Sequence, residues 1–258
     1  MRQLFAALAA TVVLALAGCS DTGELAPGNP NNPNNPPPPP PVVDQSPGGA
    51  YSGQLMPAGS SAPTDIIGLI DETGFGFFYD INFGAYYQVQ ANPNGNLLRG
   101  TVSVIVPGQT AVTGTLSGAL SEREAIAGFA TTSRGSEAIA ATYQAVPYEL
   151  PSSFAVIGGN YQFFEPNTAT TVTISINATG AVTTTDNFGC VYTGQLSIPD
   201  AAYNAYRFSG VYRCTGFADQ PFSGLASFVP QDGATPAGIA IGLSDGVEFA
   251  GYAVASKL

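Results

Sequence analysis

The feature that most constrains this chain is a long series of short runs in which apolar and polar residues alternate, each ended by turn residues. Such runs occur at Ala50–Met56, Ile66–Ile70, Phe75–Asp80, Ala85–Ala91, Leu97–Val106, Ala111–Leu120, Arg123–Thr131 and Glu137–Ala145. Eight more follow at Ala155–Glu165, Thr170–Ile176, Ala181–Thr185, Cys190–Ile198, Tyr206–Thr215, Phe222–Val229, Gly238–Leu243 and Val247–Val254. Side chains of a strand point alternately to its two faces, so a period of two marks half-buried β-strands. "DETG", "NPNGN", "TSRGS", "NATG" and "SDG" supply turns between them.

The runs divide evenly about "VPYELPSS", where Pro147 and Pro151 interrupt pairing. Both halves open alike: "GGAYSG" at Gly48 is echoed by "GGNYQF" at Gly158, which suggests an internal repeat. Eight antiparallel strands in about a hundred residues suit a small closed barrel, which leaves no sheet edge exposed. The expected fold is all-β, with two consecutive antiparallel lobes over residues 48–147 and 152–258. Each lobe is an eight-stranded barrel or a barrel-like sandwich; one larger sandwich is the alternative.

Ahead of the lobes the chain reads as address and tether. Arg2 gives a positive start, and Leu4 to Ala17 is apolar apart from Thr11, as in a signal peptide over residues 1–18. "LAGC", Leu16 to Cys19, resembles the lipobox of bacterial lipoproteins. The resemblance implies cleavage before Cys19 and lipidation of that cysteine, with several acyl chains giving a stable anchor. In such lipoproteins the next residue influences sorting; Ser20 is not the aspartate of inner-membrane retention, which implies the outer membrane, facing periplasm or cell surface. Residues 19–47, rich in Asn-Pro repeats and with six prolines at Pro36–Pro41, are read as a disordered tether. They bury too little apolar surface to fold and favour extended polyproline II, with a reach on the order of 90 Å. A docking site for a proline-reading domain is the alternative. A lipid-anchored tether carrying two β lobes is similar in architecture to the two-barrel surface lipoproteins of the factor H-binding and transferrin-binding types. That similarity covers no shared motif, so it assigns no functional residue.

The net charge is −11, and loss of Arg2 with the leader leaves 6 basic against 18 acidic residues. This balance excludes nucleic acid and basic-patch docking on anionic lipid. With Cys19 lipidated, Cys190 and Cys214 remain as an even pair in an exported protein, the composition of a disulfide. Their spacing matches no zinc pattern, and the chain has no histidine, so no metal is expected. A hairpin around "PDAAYNA" that sets Cys190 opposite Cys214 also sets Tyr192 opposite Tyr212, Gly194 opposite Gly210, Leu196 opposite Phe208 and Ile198 opposite Tyr206. The other face pairs Val191 with Arg213, Thr193 with Val211, Gln195 with Ser209 and Ser197 with Arg207, and is more polar. A slip by one residue would exchange the faces.

Motifs of chemistry are weak. "GLSDG", Gly242 to Gly246, matches G-x-S-x-G, but it lies between two β-like runs and has no histidine base. Lys257 is the only lysine and stands next to the chain end. "DINFG" begins like a calcium loop yet lacks its later ligands, and reads as an Asx-rich turn. Carboxylate pairs for hydrolysis have Asp71, Glu72, Asp80, Asp186, Asp219 and Asp245 as candidates, with no tryptophan to stack on a sugar. "FGFFYDINFGAYYQV" concentrates aromatics, and neighbouring aromatics in a strand point to both faces. Phe77, Phe78, Tyr86 and Tyr87 are therefore the candidate aromatic patch for a protein or glycan, unless the outer ones pack on the second lobe. The expectation is a non-catalytic binding module for a protein partner, one form being an inhibitor of a basic hydrolase. A carrier of a small apolar ligand inside a barrel and a carboxylate hydrolase are the alternatives, and no cofactor is expected.

Overall fold

The computed structural model describes residues 43–165 and 169–258. Cys19, the leader and the proline run lie outside the described residues.

The described residues form two closed eight-stranded antiparallel barrels in sequence order. The first consists of β1 (Gly49–Met56), β2 (Thr64–Ile70), β3 (Phe75–Asp80), β4 (Tyr86–Ala91), β5 (Leu97–Ile105), β6 (Val112–Ser121), β7 (Ala125–Thr132) and β8 (Gly135–Gln144). Two single helical turns, α1 (Ala145–Tyr148) and α2 (Phe154–Ile157), form the joint. The second consists of β9 (Gly159–Glu165), β10 (Thr170–Ile176), β11 (Ala181–Asp186), β12 (Val191–Ser197), β13 (Tyr206–Arg213), β14 (Gln220–Val229), β15 (Gly238–Ser244) and β16 (Ala250–Lys257). Two expected runs are shifted. Ala155–Ile157 is helical, because the Ser153 side chain accepts the Val156 N–H and starts a turn there. The last strand begins at Ala250, because Asp245 Oδ1 gathers the N–H groups of Val247, Glu248 and Phe249 into a loop.

The disulfide Cys190–Cys214 is formed, with the two Cα atoms 4.4 Å apart. β12 and β13 pair in the register the cysteines dictate, including Tyr192↔Tyr212, Gly194↔Gly210 and Leu196↔Phe208. The glycine pair has a use there: a Cβ on Gly194 or Gly210 would come within 2.6 or 2.9 Å of the Phe208 ring. The aromatic lies across its glycine neighbours and fills the space they leave.

The echo between the halves also has a structural basis. Tyr51 donates its hydroxyl to Pro47 O at 3.0 Å, and Tyr161 donates to Ile157 O at 2.6 Å. Each buried tyrosine satisfies a carbonyl four residues upstream and locks the entry to its barrel.

Both interiors are filled. The first core contains Tyr51, Ile70, Phe78 and Leu98, and the second Tyr161, Ile174, Leu196 and Phe208. The cavity between Ile66, Phe78, Leu116 and Ile139 measures about 20 Å³, room for about one water.

Candidate functional site

The aromatic patch is not a surface. Phe78 and Tyr87 point into the first barrel and are 5 % and 3 % exposed. Phe77 and Tyr86 point out of it but are buried against Leu225 and Ala250 of the second barrel. Gly242 permits this approach, since a Cβ there would lie 2.4 Å from Phe77 Cδ1. The first glycine of "GLSDG" thus makes room for a neighbouring barrel's ring. Ser244 is 1 % exposed and accepts the Gly246 N–H at 2.7 Å, as the end of a strand and the start of a turn.

The carboxylates drawn from the sequence are held in structural bonds. Asp80 accepts Thr64 Oγ1 and the N–H groups of Asn82 and Phe83, which makes "DINFG" an Asx turn. Asp186 and Asp245 cap turns in the same way, and Asp219 pairs with Arg213 at 2.9 Å. Glu72 accepts bonds from Ser46 and Tyr148. Asp71 is fully buried; its carboxylate accepts from Thr73 and from the Arg207 guanidinium at 2.6 Å. Arg207 also lies 4.8 Å from the Phe75 ring centre, so this pair clasps β13 of the second barrel to the β2–β3 turn of the first. Among the described residues, no three of His, Cys, Asp and Glu converge as metal ligands.

An opening lies elsewhere, where the second barrel closes on itself. β1 and β8 close the first barrel with seven residue pairs, Ala50↔Gln144 to Met56↔Ala138. β9 and β16 close the second with two, Tyr161↔Lys257 and Gln162↔Ser256. Leu258 N–H donates to Asn160 O at 2.9 Å, whereas Lys257 N–H turns away to Ala237 O. Even-numbered amides of β16 therefore face the seam. The same register sets Phe164 opposite Val254, but the strands have parted there, and among the described residues neither has a partner across the seam. A cleft of about 470 Å³ opens between them, lined by Phe163, Phe164 and Glu165 on one side and Tyr252, Ala253 and Val254 on the other. Phe164 is 60 % exposed and Val254 54 %.

One lining residue, Tyr252, packs against the first barrel. Tyr252 stacks on Tyr79 at 5.4 Å, and Tyr79 stacks on Tyr86 at 4.9 Å. Through this stack Tyr86 of the first barrel is tied to Tyr252 of β16. Burial, and then the neighbouring Tyr79, push the Tyr86 phenol up to about 12, and burial also raises Tyr252. Both stay protonated and neutral in the physiological range. The cleft is thus an aromatic-walled opening with strand edges, one carboxylate and the Gln162 amide.

The sequence carried a signal for it. "YQFF" at Tyr161–Phe164 places adjacent aromatics in a strand, so one of Phe163 and Phe164 must point outward, by the reasoning applied to "FGFFYD".

Comparison of the chain with family models, with curated proteins and with solved structures finds no match.

Proposed function

We propose that this protein is a non-catalytic binding module for a protein partner, anchored at the outer membrane by lipid on Cys19. The observation that carries the reading is the parted seam of the second barrel, with Phe164 and Val254 exposed on either side of a cleft of about 470 Å³. Exposed aromatics beside a cleft of this size are typical anchors for a partner. An apolar-ligand carrier has less support, because the first barrel's cavity of about 20 Å³ is too small for such a ligand. A carboxylate hydrolase has less support, because the candidate acids are used in turns and ion pairs.

Photo-crosslinking in cells tests the reading. A photoreactive residue at Phe164 or Val254 should give a discrete protein adduct, and one at exposed Thr183 should give none. Equal labelling from all three positions, or none from Phe164 and Val254, contradicts it. The anchor is tested by Cys19→Ala, which should move the chain from the membrane to the soluble fraction; membrane retention contradicts that part.

A further inference from the structure

We infer that the parted seam accepts an extended, basic segment of its partner as an added β-strand. The inference rests on the binding-module reading and specifies what that module recognises.

Backbone chemistry makes the first argument. A closed barrel satisfies its strands on both sides, and the first barrel does so along seven residue pairs. β16 is paired along its whole β15 side, from Gly238↔Ser256 to Ser244↔Ala250. On its β9 side the ladder stops at Ser256. The next two seam-facing positions of β16 are Val254 and Tyr252. Val254 is left facing Phe164 across the cleft, and among the described residues neither has a strand partner on the seam side, although Val254 pairs with Ala240 and Phe164 with Thr171 on their other sides. The ligand that satisfies such edges is another main chain, with affinity from the ladder and specificity from alternate side chains.

Side-chain space makes the second. An inward apolar side chain of the incoming strand would meet Phe163 and Ala253, which line the cleft at odd positions on the core-facing side of their strands. The alternate side chains would point outward beside exposed Phe164 and Val254.

Charge makes the third. The chain carries −11, and Glu165 lines the cleft. The sole lysine, Lys257, stands at the closed end of the seam, its Nζ 5.6 Å from the Tyr161 ring centre and within 3.5 Å of Val156 O. An incoming segment with basic outward residues complements this surface, and an acidic one is repelled.

The probe is the capped peptide Lys-Val-Lys-Val-Lys-Val, titrated against the full chain by fluorescence anisotropy. Saturable binding is expected. N-methylation of alternate amides removes the ladder without changing charge and should weaken binding by at least about tenfold. The Glu-Val counterpart should weaken it by a similar factor. F164C/V254C, oxidised to close the seam in its own register, should bind at least about tenfold more weakly than the same variant reduced. The N-methylated peptide acts on the unaltered protein, so the test survives failure of the double variant to fold. No saturable binding, equal binding of the N-methylated or acidic peptide, or undiminished binding by the oxidised variant overturns the inference. So does sedimentation showing a dimer that the oxidised variant loses, which makes a second copy the occupant. A discrete crosslink from Phe164 together with indifference to N-methylation discards the strand but keeps the binding module.

Discussion

The two barrels follow one plan and close it differently. Both have eight antiparallel strands, a tyrosine bonded to a carbonyl four residues upstream, and hairpin turns capped by Asp or Asn, as at Asp71 and Asn177. The first closes through seven residue pairs and has no disulfide. The second closes through two and has Cys190–Cys214 on the β12–β13 hairpin, away from the seam. Strand count and turn chemistry suffice to specify a barrel, while the extent of the last pairing decides whether its wall is continuous. A barrel with a short seam has fewer cooperative ladder bonds, and the disulfide offsets that loss by restricting the unfolded chain.

Removing the bridge should break the comparison most strongly. C190A/C214A should destabilise the second barrel by about 3.5 kcal/mol and leave first-barrel amides protected, as hydrogen exchange resolved by residue will report. Equal loss in both barrels would mean that they unfold as one unit.

The clasp between the barrels comes next. Arg207→Ala leaves the buried Asp71 carboxylate without its cation, at a cost of about 2–3 kcal/mol. A double-mutant cycle with Asp71→Asn should show coupling of about 2 kcal/mol; additive effects would remove Arg207 as the coupling residue.

Ser244→Ala removes the acceptor for Gly246 N–H and should cost about 1 kcal/mol in the second barrel. The unaltered protein should not react at Ser244 with a fluorophosphonate probe. A labelled Ser244 would restore the nucleophile reading.

The smallest effect belongs to the first barrel. Glu137 meets the Tyr87 side chain, and its Oε2 is buried without a hydrogen bond. Burial pushes this carboxyl above its ordinary 4.5. A raised folded value means that its stabilising contribution is full below about 4.5 and lost as pH rises through the raised value. Glu137→Gln should therefore raise Tm by about 2 °C at pH 7 and leave it unchanged at pH 4. The opposite pH order would show that the carboxylate form is the better bonded.

Much of this fold was legible in the sequence because strand period and turn chemistry are local. The register of β12 and β13 was legible too, since the cysteines fix it and the glycine and aromatic pairs agree with it. The fate of the aromatics was not. Period two says that Phe77 and Tyr86 leave their own barrel, and only the packing of the second barrel says that they are covered. The seam was least legible, because pairing between the first and last strands of a barrel is the least local contact in it. Phe164 hinted at an outward aromatic, but nothing in its neighbours indicates that β16 parts from β9.

Residue-resolved amide exchange of the unliganded chain tests the central claim most directly. Val254 and Phe164, which among the described residues have no strand partner across the seam, should exchange about 100-fold faster than the β8 amides that bond β1 within Ala138–Gln144. Protection at Val254 and Phe164 equal to that of β8 would mean that the second barrel is as fully closed as the first, and would contradict the account.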